Sequence, residues 1–238
     1  MTEVCSMKLP ISDRLLACAQ FVRPGDRVAD VGCDHGYLSI HLLTEGIAAF
    51  CIASDINDGP LRSALRNANK YHVADKMSFH LSDGVRNIPR DFDTLVCAGM
   101  GADTMIHILE SAPWLRKEQY RMILQCQTKT HLLRRYLSEN GWFIRDEVVL
   151  QDGKFLYTVM DVIWQPGFPL TPGEWYFPPV LQKNHPTPES AAYYHWVVKV
   201  LRVKVSGRGE TAEPELTEPL KELDMLPEKT NLAWLKEE

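Results

Sequence analysis

The chain has 238 residues, 45% hydrophobic and 24% charged, with 14 Gly, 15 Pro and a net charge of −5. That balance excludes collagen-like, wholly disordered and repeat-only chains, and the acidic total argues against a simple nucleic-acid-coating protein. A chain of this length buries roughly 70–75% of its unfolded surface, enough for one large core plus an appendage.

In chain order, an amphipathic helix runs from Ser12, its expected N-cap, to about Val22. Seven strand-like runs follow: Arg27–Gly32, Phe50–Ser54, Met77–Leu81, Thr94–Ala98, Arg121–Gln125, Trp142–Leu150 and Lys154–Ile163. The early ones are short continuous apolar runs, as buried parallel strands are. Helices are expected between them over Tyr37–Leu43, from a cap at Asp58 to about Tyr71, over Asp103–Glu110 and over Thr128–Asn140, with Gly141 at the C-cap position. Alternation of strand and helix predicts an α/β fold with a parallel sheet covered on both faces. The last two strands are separated only by Asp152-Gly153, so they must pair as an antiparallel hairpin, giving a seven-stranded mixed sheet. Residues 165–188 hold seven prolines and read as a linker or wrapping segment. Residues 189–205 are helical in pattern, and 210–238 read as a marginal helix or loose acidic tail. This organisation predicts a domain over 1–165 and a helical extension over 166–238.

The longest apolar run, Ile47–Ala53, is far short of the ~20 residues a bilayer span needs. With Glu3 near the N-terminus and no basic-then-apolar leader, a cytoplasmic protein without a membrane partner is expected. Cys5, Cys18, Cys33, Cys51, Cys97 and Cys126 are scattered, so buried free thiols are expected rather than a metal site or disulfides. Charge is unevenly spread. Residues 183–208 carry five basic groups against Glu189, whereas 209–238 carry three Lys against nine acids. A basic segment ahead of an acidic tail is able to hide an RNA-binding face inside an acidic total.

Ligands of such sheets bind beyond the strand carboxyl ends. The first strand ends in Asp30-Val31-Gly32-Cys33-Asp34-His35-Gly36. A dinucleotide-binding loop needs glycine at position 34 so that a pyrophosphate can approach; a carboxylate there repels phosphate and suits the sulfonium and ammonium of S-adenosylmethionine. Asp55, 23 residues beyond Gly32 and followed by Ile56, is placed to hold ribose hydroxyls, and Asp83-Gly84 to accept from an adenine amino group. Each aspartate alone also fits a helix or turn cap. The fourth strand ends in Ala98-Gly99-Met100-Gly101, which reads either as room for a flat base or as a tight turn made for packing.

Asp30-Val31-Gly32-Cys33-Asp34-His35-Gly36-Tyr37-Leu38, Ile56-Asn57-Asp58-Gly59-Pro60, Ala98-Gly99-Met100-Gly101, and Asp146–Leu150 with Asp152-Gly153-Lys154 and Tyr157 together resemble the bacterial tRNA (adenine-22-N1)-methyltransferase family over about residues 8–165. The resemblance implies a Rossmann-like class I methyltransferase domain that uses S-adenosyl-L-methionine to methylate N1 of an adenine in the D arm of tRNA. It also implies a helical C-terminal extension that helps hold the tRNA. Two departures stand out: the family's Leu-Gln-Pro-Asn is Leu124-Gln125-Cys126-Gln127 here, and its Ala-Gly-Met-Gly-Gly ends in Ala102.

On this reading Asp30, Gly32, Asp34, Gly36, Asp55, Ile56, Asp83, Gly84, Ala98, Gly99 and Met100 contact the cofactor. Asp34 faces the cationic methylated adenine. His35 either bonds the adenine or carries a proton, or merely bonds a backbone group at the helix start; Tyr37 either stacks on the base or packs on the sheet. Gly101 and Gln125 line the target base. Arg116, Lys117, Arg121, Lys129, Arg134 and Arg135, with Lys199 and Arg202 of the Lys199–Arg208 helix, form a phosphate-binding rim, each alone also readable as a solvated helix face. A methyltransferase acting on another RNA, a protein or a small molecule, and a non-catalytic S-adenosylmethionine-binding module, stay open, as does a monomeric or dimeric state.

Overall fold

A computed structural model describes residues 9–183, 186–211, 213–229 and 235. The chain divides into two compact units, Met1–Ala98 and Gly99–Glu238. The strands form a seven-stranded sheet of order β3-β2-β1-β4-β5-β7-β6, mixed as the alternating pattern and the terminal hairpin predict.

The first unit holds α1 (Asp13–Phe21), β1 (Arg27–Val31), α2 (Tyr37–Thr44), β2 (Phe50–Asp55), α3 (Asp58–Lys70), β3 (Met77–Leu81) and most of β4 (Thr94–Met100). β1 lies parallel to β2, with Arg27 opposite Phe50, and parallel to β4, with Val28 opposite Thr94. β2 lies parallel to β3. Val28, Ala29, Ile52, Ala53, Leu95 and Val96 are essentially solvent-free, which is why these runs show no polar alternation. Strand order reverses between β1 and β4, so the turn after β1 stands at the switch point of the sheet. Two expected caps differ. Ser12 flanks α1 without a side-chain cap bond, and Asp58 lies inside the first turn of α3, paired with Arg62 at 2.6 Å, while Asn57 is the flanking residue.

The second unit holds α4 (Ala102–Glu110), β5 (Arg121–Cys126), α5 (Thr130–Glu139), β6 (Trp142–Asp152), β7 (Phe155–Trp164), α6 (Pro172–Tyr176), α7 (Pro179–Lys183), α8 (Pro188–Arg208) and α9 (Pro214–Lys229). β7 pairs antiparallel with both β5 and β6, so the hairpin expectation holds, with Gly153 at φ +62° in its turn. α5 starts at Thr130 rather than Thr128 because Lys129 ahead of it is left-handed, φ +58°.

The proline-rich stretch is ordered as two short helices. Thr171 and Glu174 form a capping box on α6, and Glu222 of α9 accepts from Thr171 Oγ1 (2.6 Å) and from the Gly173 amide (2.8 Å). A Cβ on Gly173 would stand 2.7 Å from that of Glu222, so only glycine admits the contact. Phe177, Leu181, Tyr193, Tyr194, Val197, Leu201 and Leu223 close a core against Val149 of β6. The acidic segment is therefore a packed helix over 214–229, despite Pro219 and Pro227; its expected tail beyond lies outside the described residues, Leu235 excepted. Cys18, Cys33, Cys51, Cys97 and Cys126 are buried free thiols, and Cys5 lies outside the described residues.

Arg134 ties this unit together. Its side chain is wholly buried, and donates from Nη2 to Glu147 Oε1 (2.6 Å), from Nε to Glu147 Oε2 (3.2 Å) and from Nη1 to the carbonyls of Trp175 and Tyr176 (both 2.9 Å). Removing one partner of a buried pair leaves the other charge uncompensated. Arg134→Leu is expected to lower the unfolding free energy by about 3–5 kcal/mol, read by denaturant titration.

Candidate functional site

The turn after β1 packs three left-handed residues into five: Gly32 (φ +73°), Asp34 (φ +49°) and Gly36 (φ +73°). The amides of Gly32 and Cys33 both donate to the Ser54 carbonyl of β2, at 2.8 and 2.9 Å. Asn67 of α3 donates to the His35 carbonyl at 2.9 Å, and a Cβ on Gly36 would come 2.9 Å from that of Ala64. The turn is thus clamped by α3, and Gly36 is required by close approach as much as by its φ. Asp34 is a non-glycine residue in a region that costs of order 1 kcal/mol, held there by its neighbours. Its carboxylate is 72% exposed, with His35 Nε2 3.6 Å away, also exposed. The Tyr37 ring lies 5.7 Å from that of His35.

Asp55 ends β2 with a buried carboxylate. Oδ1 accepts from the Asn57 amide (2.9 Å) and Oδ2 from the Asp34 amide (3.4 Å), so it organises both loops. Ile56 beside it is 63% exposed, an unusual position for an isoleucine and a ready apolar surface. Asp83 holds Arg86 at 2.8 Å, and Gly84 is left-handed at φ +59°. Asp30 differs from both. It is buried, accepts from Ser39 Oγ at 2.7 Å, and burial pushes its carboxyl up to about 6, the Ser39 bond pulling the other way. Asp30 therefore shapes the loop from inside.

In the second unit, Gly99 is exposed at φ +79°, and its amide donates to Gln125 Oε1 at 3.0 Å. Met100 accepts from the Gln127 amide (2.8 Å), and Ala102 donates to the Thr128 carbonyl (3.1 Å). A Cβ on Gly101 would stand 2.9 Å from Thr128 Oγ1. One expectation changes here, for Gln125, wholly buried, braces the end of β4 instead of facing a substrate, while the bare Cα of Gly101 gives room to Thr128.

The expected rim also loses two members, and the first is Arg121, buried and paired with Asp161. Arg134 is inside the unit and has no surface to offer a phosphate, because Glu147 and three backbone or hydroxyl oxygens consume its donors. Arg135 is exposed but paired with Glu139 (2.9 Å) and set over Trp175. Lys129 is paired with Asp103 (2.7 Å) and Arg202 with Asp224 (2.8 Å), both exposed. Arg116 bonds Tyr136, while Lys117 and Lys199 are exposed and form no ion pair among the described residues. No group of three His, Cys, Asp or Glu among the described residues is arranged to hold a metal.

A family model described as a methyltransferase domain matches residues 11–160. The chain belongs to that methyltransferase family. It is 32% identical over 154 residues to the tRNA (adenine(22)-N(1))-methyltransferase of Bacillus subtilis, a match covering 64% of this chain and 65% of that protein. The solved structure of Streptococcus pneumoniae Sp1610, described as a candidate tRNA (m1A22) methyltransferase and in complex with S-adenosyl-L-methionine, superposes with a TM-score of 0.79 at 25% identity. That superposition covers 95% of this chain and 100% of that one. A Streptococcus agalactiae protein of the NADB-Rossmann superfamily gives 0.81 at 27% identity over 97% and 99% of the two chains.

Within a methyltransferase the buried Asp30 makes a measurable demand. A carboxyl raised from 3.8 to about 6 contributes stability that is fully present below pH 4 and is lost as pH rises through 6. Asp30→Asn is expected to gain about 3 kcal/mol over wild type at pH 8 and only about 1 kcal/mol at pH 4.5, read by denaturant unfolding at the two pH values.

Proposed function

We propose that this chain is an S-adenosylmethionine-dependent methyltransferase that methylates N1 of an adenine in tRNA, adenine 22 of the D arm, in the cytoplasm. The observation that carries this reading is the likeness to Sp1610 across its full length, the C-terminal helices included, and not only across the common methyltransferase domain. The match of residues 11–160 supports a catalytic domain over 1–165, and 166–238 is read as a substrate-holding extension.

The residues present fit the cofactor. Asp55 and Asp83 offer carboxylate acceptors at successive strand ends, Ile56 an exposed apolar face, and the Gly32–Gly36 turn a backbone that passes close to a ligand. Asp34, by contrast, puts negative charge where a pyrophosphate would need bare amides, which disfavours a dinucleotide. Gly84, Ala98, Gly99 and Met100 complete the proposed cofactor contacts.

When bound, the cofactor supplies an electrophilic methyl group on a sulfonium. Adenine N1 carries an in-plane lone pair, so the chain's residues need not create a nucleophile; they must align the base and meet the charge that the ring acquires. Asp34, exposed and aimed by its left-handed backbone, is the carboxylate available to face that charge. His35 and Tyr37 flank it and contribute hydrogen-bonding and stacking surface to the base. An adenine N1 buried in a folded tRNA must first be turned out, and Lys117, Lys199, Arg116, Arg135, Lys129 and Arg202 are the cations left to hold the backbone while it is.

Labelled methyl transfer to an unmodified tRNA transcript, and its loss when adenine 22 is replaced, tests the reading; a transcript left unmethylated sinks it. Asp34→Asn is expected to cut turnover at saturating cofactor and tRNA by about a hundredfold, while cofactor affinity measured by calorimetry changes little. Wild-type turnover in that variant removes Asp34 from the chemistry.

A further inference from the structure

A cavity of about 390 Å³ opens in the second unit, between the loop that follows β5, the start of β7, Tyr176 of α6 and the middle of α8. We propose that this cleft holds an unpaired, non-reacting nucleobase of the RNA substrate, stacked among His131, Tyr176 and Trp196 and bonded by Thr158, with the adjoining phosphate on Lys204. The inference rests on the tRNA reading above and names a recognition subsite that the reading lacks.

Four observations carry it. Thr158 Oγ1 is buried in the cavity lining and has no hydrogen-bond partner. Buried polar atoms left unpaired cost free energy, and one lying within a cavity wall is satisfied when the wall yields to a ligand that brings a donor or acceptor. The His131 and Tyr176 rings are stacked, 4.4 Å apart and 10° from parallel. Burial, then Lys204, Arg134 and Lys129, push the His131 ring down to about 4, so at neutral pH it is a flat, uncharged surface. Trp196 is 53% exposed on the same cavity, with its ring 5.8 Å from Tyr193 beneath it. Exposed aromatics beside cations are how single-stranded bases are taken up without regard to pairing.

The last observation is charge. Lys129 and Lys204 line the cavity and no carboxylate does, among the described residues. Lys129 is engaged by Asp103, whereas Lys204 is exposed and forms no ion pair among the described residues. This sign suits a phosphate and is wrong for the methylated adenine, which is a cation. The occupant is therefore a neighbour of the reacting base and not the reacting base itself.

Two variants of the full chain test this, Trp196→Ala and Thr158→Val. Binding of a short fluorescein-labelled single-stranded oligoribonucleotide, followed by anisotropy without cofactor, is expected to weaken about tenfold or more in Trp196→Ala. In Thr158→Val it weakens several-fold while Tm holds or rises, because the variant removes an unpaired hydroxyl from a buried site. In methylation assays the loss appears in KM for tRNA and not in kcat. Oligonucleotide binding equal to wild type in both variants overturns the proposal, as does a loss confined to kcat. A wild-type chain that binds the oligonucleotide through these residues yet leaves adenine 22 unmethylated refutes the tRNA reading and keeps the cleft. Methylation at wild-type KM in both variants does the reverse.

Discussion

The second unit depends on one buried guanidinium. Burial alone disfavours a cation at Arg134, but Glu147 outweighs it and holds the group firmly charged. What makes the pair tolerable is that the Arg134 donors are met from three directions: Glu147 on β6, the carbonyls at the end of α6, and the Tyr193 hydroxyl on α8 at 3.3 Å. Residues 134, 147, 175–176 and 193 are far apart in the chain, so one side chain fixes helix, strand and C-terminal extension in one arrangement. A hydrophobic replacement would pack without dictating where Trp175 and Tyr176 must lie; the hydrogen bonds do dictate it. Tyr176 is in turn the stacking partner of His131, which places the aromatic cleft downstream of this ion pair.

The first unit is organised by carboxylates of similar sequence appearance and different surroundings. Asp30 and Asp34 lie four residues apart on one strand-turn segment. The first is enclosed, bonded by Ser39, and shifted toward its neutral form; the second is exposed beside His35 on a left-handed backbone. Asp55 stands between these extremes, buried but with both oxygens engaged by amides of two loops. Environment therefore sorts three aspartates into a loop support, a candidate charge acceptor and a loop organiser with spare lone pairs.

Much of the basic character of the second unit is internally matched. Arg121 is enclosed with Asp161, which also takes Arg145, and Arg135, Lys129 and Arg202 each meet an acid on their own unit. A count of lysines and arginines along 116–135 overstates the charge free to meet a nucleic-acid backbone. Exposed pairs are weak and are exchanged readily for a phosphate, whereas the buried ones are not.

The sequence by itself determined the strands, their order of direction and the hairpin, because continuous apolar runs, a two-residue turn and helix punctuation are local signals. It also located the turn at Asp30–Gly36 and the acids at 55 and 83, since a ligand site at strand ends inherits its chain positions from the strands. It did not reveal that Arg134 is a core residue, that Gln125 braces Gly99, or that Gly101 yields its space to Thr128. Periodicity around Arg134 is that of an ordinary exposed helix face, and its partners are 13 to 59 residues away. The cleft of His131, Thr158, Tyr176 and Trp196 has no local signature either, each residue being unremarkable on its own element. Pairing of side chains across distant elements is decided only when packing brings them together, and that is where tertiary structure supplied what the sequence pattern lacked.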